Sequence, residues 1–278
     1  MVSEAKNYKK LEGKYTIVGL DLDTTGRRLI DEIVHVAAYT PNDQFSQYIM
    51  PLMNLNPGAR ARHQIRVITV GFFRMLKSMV DYKVIKTKTE VATINEFLTW
   101  CEKVNGTNDG VIFVYHDQIK FVPYMMIEVM KKYNLSERFG KIVKGFVNGY
   151  DFMEEEQANK LKYLTLTENL KLQKDVLKME HAEEKSEVEK ASDLEGNAAR
   201  RANLSYDICK LMSYQGELKE LDDKALDDQM NRIIRAKALP LEAELEQLLI
   251  KEESLTRQAG MRDIFIAYFS SSRYHRRR

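Results

Sequence analysis

Residues 15–20, YTIVGL, form a nearly continuous apolar run that ends in the acidic turn Asp21-Leu22-Asp23-Thr24-Thr25-Gly26. A run without polar interruption suits a strand buried on both faces, here leading into a polar site. Side chains alternate along a strand, so Asp21 and Asp23 point the same way and could share one metal site. In two-metal phosphoryl chemistry, carboxylates hold a pair of Mg²⁺ ions about 4 Å apart, one activating water and the other stabilising the leaving oxygen. An acidic turn after a strand is also a common structural feature, so the peptide alone leaves both readings open.

The following segments set the fold class. EIVHVAAY at 32–39 and FSQYIM at 45–50 are β-branched or aromatic and are joined by a PND turn, which gives a three-strand meander. The spacing of Ile65, Ile68, Phe72, Met75, Leu76 and Met79 predicts a helix, as does a second stripe through Val91, Ile94, Phe97, Leu98, Cys101 and Val104. GVIFVYH from Gly110 reads as a strand, Pro123 to Tyr133 as a helix with proline in its first turn, and IVKGFVNG at 142–149 as a fifth strand. This order predicts an α/β fold with a mixed sheet flanked by helices and disfavours a purely parallel Rossmann topology. Between about 173 and 201 the chain is dense in charge and poor in large apolar residues, which predicts a mobile insertion. Ala202 to Met212 reads as a helix, and 217–255 holds two leucine-rich stretches broken by Pro240. Those stretches suit either a dimerisation element or a helix pair folded back on the same domain.

Composition narrows the partners. The 278 residues carry 43 Lys and Arg against 41 Asp and Glu, so a formal charge of +2 exerts almost no overall pull on a polyanion. Any nucleic-acid contact must come from local patches. Cys101 and Cys209 lie in apolar-periodic segments and read as buried free thiols, which fits a reducing, intracellular location. The N-terminal MVSEAKNYKK lacks the apolar stretch of a signal peptide, and no apolar run approaches the roughly 18 residues needed to span a membrane. A soluble cytoplasmic protein is expected.

DLDTTG followed by EIVHVAAY resembles the first motif of the DEDD, or DnaQ-like, exonucleases of the RNase H-like superfamily. Tyr48-Ile49-Met50-Pro51, Pro57, Ala59 and His63-Gln64-Ile65 resemble that family's third strand and the loop entering its first helix. VIFVYHDQIKFVPYM at 111–125 resembles the second motif, Tyr163 to Leu172 the segment before the third, and Ala202 to Met212 the third motif's helix. Within this group the chain is most similar to the Exuperantia family. Residues 21–79 match it nearly throughout, as do VYHDQIKFVPYM, Tyr206-Asp207 within GNAARRANLSYDICKLM, and MRDIFIAYFSSSRYHRRR at the end. The resemblance implies an RNase H-like exonuclease fold over 1–214 including the insertion, a C-terminal helical extension over 215–260, and the start of a truncated SAM-like domain over 261–278.

It also implies that the exonuclease site is degenerate. An active DEDD site uses four metal-binding carboxylates and a histidine or tyrosine that activates water. Asp21 stands at the first position and Asp23, one methylene short, where glutamate is expected. If His116-Asp117 marks the second motif's His-Asn pair, the next carboxylate position falls at Phe121, and its neighbours Lys120 and Val122 are no better as ligands. Asp207 matches the fourth carboxylate, but Ala202 and Asn203 occupy the histidine and tyrosine positions of the two subfamilies. Phenylalanine in place of a carboxylate leaves a metal pair undercoordinated. Asp117 is the one rescue candidate, while His35 and His116 lack partners at metal-ligand spacing and read as structural. No metal, no cofactor and no catalysis are expected.

The Exuperantia resemblance implies an RNA-binding module of maternal mRNA localisation, retaining a backbone-binding surface for single-stranded or structured RNA after losing hydrolysis. Candidate phosphate contacts are Arg60, Arg62, His63 and Arg66, then Lys83, Lys86 and Lys88, then Arg273 with Arg276, Arg277 and Arg278. Each cluster could equally be ordinary solvated surface, because charge makes up 30% of the chain. No RNP-type aromatic motif or KH-type GxxG loop is present. The leading expectation is a catalytically silent, homodimeric RNA-binding module in cytoplasmic ribonucleoprotein particles. Its competitors are an active Mg²⁺-dependent 3′ to 5′ exonuclease and a protein-interaction scaffold.

Overall fold

A computed structural model describes residues 8, 10–152 except 29, 118 and 119, then 168, 171, 197–213 and 222–251. The buried run at 15–20 becomes the strand β1 (Thr16–Thr24), flanked by β2 (Ile33–Thr40) and β3 (Asp43–Ile49) in the expected antiparallel meander. β8 (Val111–Tyr115) joins β1 in parallel on its other side, and β9 (Val143–Asn148) continues in parallel from β8. Two short strands complete a seven-stranded mixed sheet: β7 (Thr87–Lys88) beside β3, and β10 (Leu239–Pro240) beside β9. The α/β expectation therefore holds.

Period-two alternation along β1 assigns its two faces. Val18, Leu20 and Leu22 enter a large core with α2 (Glu90–Asn105), α3 (Phe121–Lys132) and α4 (Ser136–Ile142), built around Phe97, Phe113, Met126, Phe139 and Phe146. Of these helices only α4 was unforeseen. The opposite face is covered by α5 (Ala198–Ser213) and α6 (Asp223–Lys237), where Tyr15, Ile17, Ile112, Val114 and Val147 bury Tyr206, Cys209, Met230 and Ile234. Both cysteines are buried thiols outside any disulfide. The first leucine-rich stretch thus folds back on its own domain. Glu242–Arg278 forms a second compact unit, described only over 242–251, which is helical.

Two expectations need correction. The stripe from Ile65 to Met79 is not a helix but an antiparallel hairpin of β4 (Ile65–Val70) and β5 (Phe73–Ser78), extended by β6 (Val84–Ile85) into a separate three-stranded sheet. The β-branched run IRVITV and Gly71, at φ +60 in the turn, outweigh the chance three-to-four spacing of apolar residues. The helix expected from Ala202 begins at Ala198, so the charged segment ends earlier than 201. Its remainder, 173–196, lies outside the described residues, as do 214–221 and 252–278. Among the described residues no helix is long and apolar enough to cross a membrane.

Gly19 is where α5 meets β1, since a Cβ there would collide with the Ala202 carbonyl and with the Tyr206 Cβ. Ala37, Ala198 and Ala202 line the same contact. Small side chains on both elements let the helix lie close to the sheet. Gly19→Ala should therefore destabilise the fold by about 1–3 kcal/mol through overpacking, read as a lower urea midpoint at unchanged m.

Candidate functional site

Asp21 and Asp23 continue the odd-numbered face of β1 beyond Gly19 and lie under the start of α5, both buried. The turn that follows is locked locally. Thr24 Oγ1 donates to the Gly26 carbonyl at 2.5 Å, and Thr25 Oγ1 accepts from the Glu32 amide at 2.9 Å. The Asn56 amide donates to the Thr25 carbonyl at 2.9 Å, and the Asn56 side chain caps α1 (Pro57–His63) by accepting from the Ala59 amide at 2.7 Å. The acidic turn thereby fixes the short helix that carries Arg60, Arg62 and His63.

Arg201 occupies the space between the two aspartates. Its Nη2 lies 2.5 Å from Asp21 Oδ2 and 2.5 Å from Asp23 Oδ1, with the Leu22 carbonyl at 3.5 Å. The Arg201 side chain is only 6% exposed and that of Asp23 1%. Two histidines complete the shell of Asp23: His63 Nδ1 donates to Oδ1 at 2.8 Å and His35 Nδ1 donates to Oδ2 at 3.2 Å. His35 is oriented by stacking on Tyr48, with centroids 3.9 Å apart, and in its neutral form accepts from Ser46 Oγ at 2.9 Å through Nε2.

The neighbouring carboxylates respond in opposite directions. Burial pushes Asp23 up, but Arg201 and the hydrogen bonds of His35 and His63 outweigh it and hold the group well below the usual carboxylate range. Asp21 ends above its ordinary value because burial, with repulsion from Asp23, exceeds the pull of Arg201 and Arg62. Arg201 is raised despite its burial by the two aspartates. Arg62, exposed at the rim, is lowered by desolvation and then by repulsion from Arg201.

The metal pair implied by the DEDD resemblance does not fit these residues. Mg²⁺ takes oxygen ligands at about 2.0–2.1 Å in near-octahedral geometry, whereas the space shared by Asp21 and Asp23 holds a cationic nitrogen 2.5 Å from an oxygen of each. Among the described residues no group of three His, Cys, Asp or Glu is arranged to hold a metal ion. Asp207 lies on α5 six residues beyond Arg201, about 9 Å along the axis and about 120° around it. The side chain that α5 brings to Asp21 and Asp23 is Arg201.

The remaining motif residues have structural partners. Phe121 opens α3 and packs against the main core. Asp117 accepts from the Phe121 amide at 2.9 Å and lies 3.8 Å from Arg27, so it anchors the start of α3. His116 is part-buried against Tyr150, with centroids 4.4 Å apart, and desolvation lowers its pKa to about 4. Ala202 is spent on the contact with Gly19, and Asn203 lies part-buried on the same helix.

The basic candidates divide. His63 turns inward, with its side chain 6% exposed, and leaves the basic surface. Arg60, Arg62, Arg66, Lys83 and Lys86 are exposed, although Lys83 pairs with Asp81 at 3.1 Å, and Lys88 is half-buried against Glu96 at 2.6 Å. Arg273, Arg276, Arg277 and Arg278 lie outside the described residues. Sequence reasoning missed Arg201, which it assigned to the charged insertion, and Arg27. The available signal was Arg200-Arg201 immediately before Ala202, where the helix face turns toward the acidic strand.

Comparison with known proteins agrees with this architecture. The profile of the Exuperantia RNAse H-like domain matches residues 15–173. The maternal protein exuperantia of Drosophila virilis is 39% identical over 283 residues, and that of Drosophila melanogaster 38% over 311. Each alignment covers 95% of this chain and 58% of the relative, so the chain spans little more than half the length of these proteins. Maternal protein exuperantia-2 of Drosophila pseudoobscura pseudoobscura is 55% identical over 139 residues, 49% of this chain and 29% of that protein.

The opposite shifts of the two aspartates set a test. Asp23 has a lowered folded-state pKa, so its stabilisation is present above its unfolded pKa of about 3.9 and is lost as pH falls through the folded value. Asp21 has a raised one, so its charge costs stability at neutral pH and protonation relieves that cost. Arg201→Met, which strands two buried carboxylates, should cost about 3–5 kcal/mol at pH 7. Asp23→Asn should also destabilise, whereas Asp21→Asn should cost far less. Urea midpoints of the three variants at pH 7 check the order, and equal losses for the two aspartates would contradict it.

Proposed function

The chain belongs to the Exuperantia family, and from that premise we propose that it is a catalytically silent, exonuclease-like RNA-binding module of an mRNA localisation factor, homodimeric and cytoplasmic in ribonucleoprotein particles. The observation that carries the silent half is the Arg201 guanidinium bridging Asp21 and Asp23. Hydrolysis by the two-metal route needs carboxylates free to hold ions and a group able to activate water. Here both carboxylates are engaged by an internal cation, Phe121 opens α3 in the second motif, and Ala202 packs on Gly19 where one subfamily places its histidine.

The RNA half rests on cations that remain accessible above this plugged cleft. Arg27, Arg60 and Arg62 are exposed around it and can bind phosphate oxygens without coordinating an ion. Assembly as a homodimer must use a surface other than the apolar side of α6, because Met230 and Ile234 are buried against the domain's own sheet. A ribonucleoprotein role for the longer family members belongs to this same proposal.

A labelled single-stranded RNA should stay full length with Mg²⁺ or Mn²⁺, while it binds with log K falling by about 0.7 per phosphate contact for each unit of log salt. Arg60→Ala with Arg62→Ala should flatten that slope similarly for unrelated sequences. Stepwise shortening from the 3′ end would instead establish an active exonuclease. Salt-insensitive or absent binding would favour the scaffold. Light scattering should give twice the 32.4 kDa chain mass, and a single chain mass at micromolar concentration would remove the dimer.

A further inference from the structure

The small sheet β4-β5-β6 has a composition unlike the rest of the chain. Between residues 65 and 85 lie Arg66, Arg74, Lys77 and Lys83 against the single acid Asp81, whereas the whole chain is nearly balanced at 43 basic and 41 acidic residues. Register divides its side chains into two faces. Ile65, Val67, Leu76 and Ile85 point into a core with Val34, Leu55 and Ala59. The opposite face presents the rows Arg66–Lys77–Val84, Ile68–Met75 and Val70–Phe73.

That outward face carries large apolar groups that a monomer ordinarily hides. Phe73 is 74% exposed, Val70 and Val84 are each 60% exposed, and Phe72 in the turn is 103% exposed. Tyr82, 64% exposed and at φ +57, lies with its ring 5.9 Å from Lys77 Nζ and so borders the same face. Phe73 and Lys77 are four residues apart on β5, about 13 Å. The face thus has aromatic rings at both ends and cations between and beside them.

We propose that this face is a platform for single-stranded RNA, with bases stacking on Phe72, Phe73 and Tyr82 and phosphates on Arg66 and Lys77. Every base has a π-face, so exposed rings interleaved with cations recognise single strands without a sequence motif. A second copy of the chain fits this face less well. The excess of cations over acids on this sheet favours a polyanion over a second copy carrying the same charge. This inference rests on the RNA reading above but assigns binding to a surface distinct from the aspartate cleft.

The test uses the 278-residue chain and a short labelled single-stranded RNA, with a duplex of the same sequence as control. Phe72→Ala and Phe73→Ala should each weaken single-strand binding about fivefold or more, with the salt slope unchanged, while Arg66→Ala with Lys77→Ala should flatten the slope. The duplex, whose bases are already stacked, should be affected little by loss of the rings. Phe72→Trp supplies a direct readout that retains stacking: its exposed indole should be quenched by the single strand, while the one native tryptophan, Trp100, is buried. Unimpaired binding in both alanine variants together with an unquenched indole would overturn the platform while leaving RNA binding elsewhere intact. Absence of RNA binding in the unaltered chain would overturn both readings. A drop from dimer to monomer on light scattering in the alanine variants, with RNA affinity unchanged, would assign the face to self-association instead.

Discussion

A buried guanidinium paired with two buried carboxylates fixes how α5 lies on the sheet. Arg201 can reach Asp21 and Asp23 only because α5 runs close to β1, and that approach depends on Gly19, Ala37, Ala198 and Ala202 having almost no side chain to keep the elements apart. The dependence runs both ways. Three ionised groups are tolerated at such low exposure only when each has partners of opposite charge or a hydrogen bond, and His35 and His63 supply those that Arg201 cannot. A change at the small-residue contact therefore loosens an ion triad, and a change in the triad removes the polar tie that sets the helix register.

The same arrangement alters what the acidic pair can do. In the resembling exonucleases, paired carboxylates at the end of this strand hold diffusible cations. In this chain the cation is covalently part of the protein and requires no free ion. Asp23 is committed to structure, with Arg201 and two histidines on its oxygens, while Asp21 bears the desolvation cost with fewer partners. The asymmetry follows from position: Asp23 pairs across to His35 in the β2 register and is reached by α1, whereas Asp21 faces Ala37.

Much of the fold was legible because its signals are local. The apolar run at 15–20, the meander, the helix at 90–105 and the two parallel strands each announce themselves by period and composition. The shared orientation of Asp21 and Asp23 followed from strand alternation alone. The hairpin at 65–78 was misread because Ile65, Ile68, Met75 and Leu76 satisfy a helical spacing by coincidence, and only the β-branched run with Gly71 distinguishes the two. The central residue of the site was invisible for a different reason. Arg201 is separated from Asp23 by 178 positions and sits beside a charged stretch, so nothing near it in sequence marks one arginine as buried. Likewise, the inward turn of His63 depends on Asn56 capping α1 against Thr25, a tertiary relation.

These electrostatics bear on where a polyanion could be held. In the cleft, Arg201 is enclosed and already shared by two carboxylates, so it offers no accessible charge, and one of the rim cations, Arg62, faces both aspartates. Inside the cleft the two carboxylates offset Arg201, so attraction for phosphate there falls to the exposed cations Arg27, Arg60 and Arg62. In a chain of nearly balanced total charge, attraction for a polyanion comes from regions where cations outnumber acids and remain exposed. The small sheet is another such region, with four cations and one acid between residues 65 and 85. An arginine between the paired carboxylates and a concentration of cations on a separate sheet are thus physically consistent with the silent-site reading proposed above, in which binding rests on a surface that a metal-dependent site would not use.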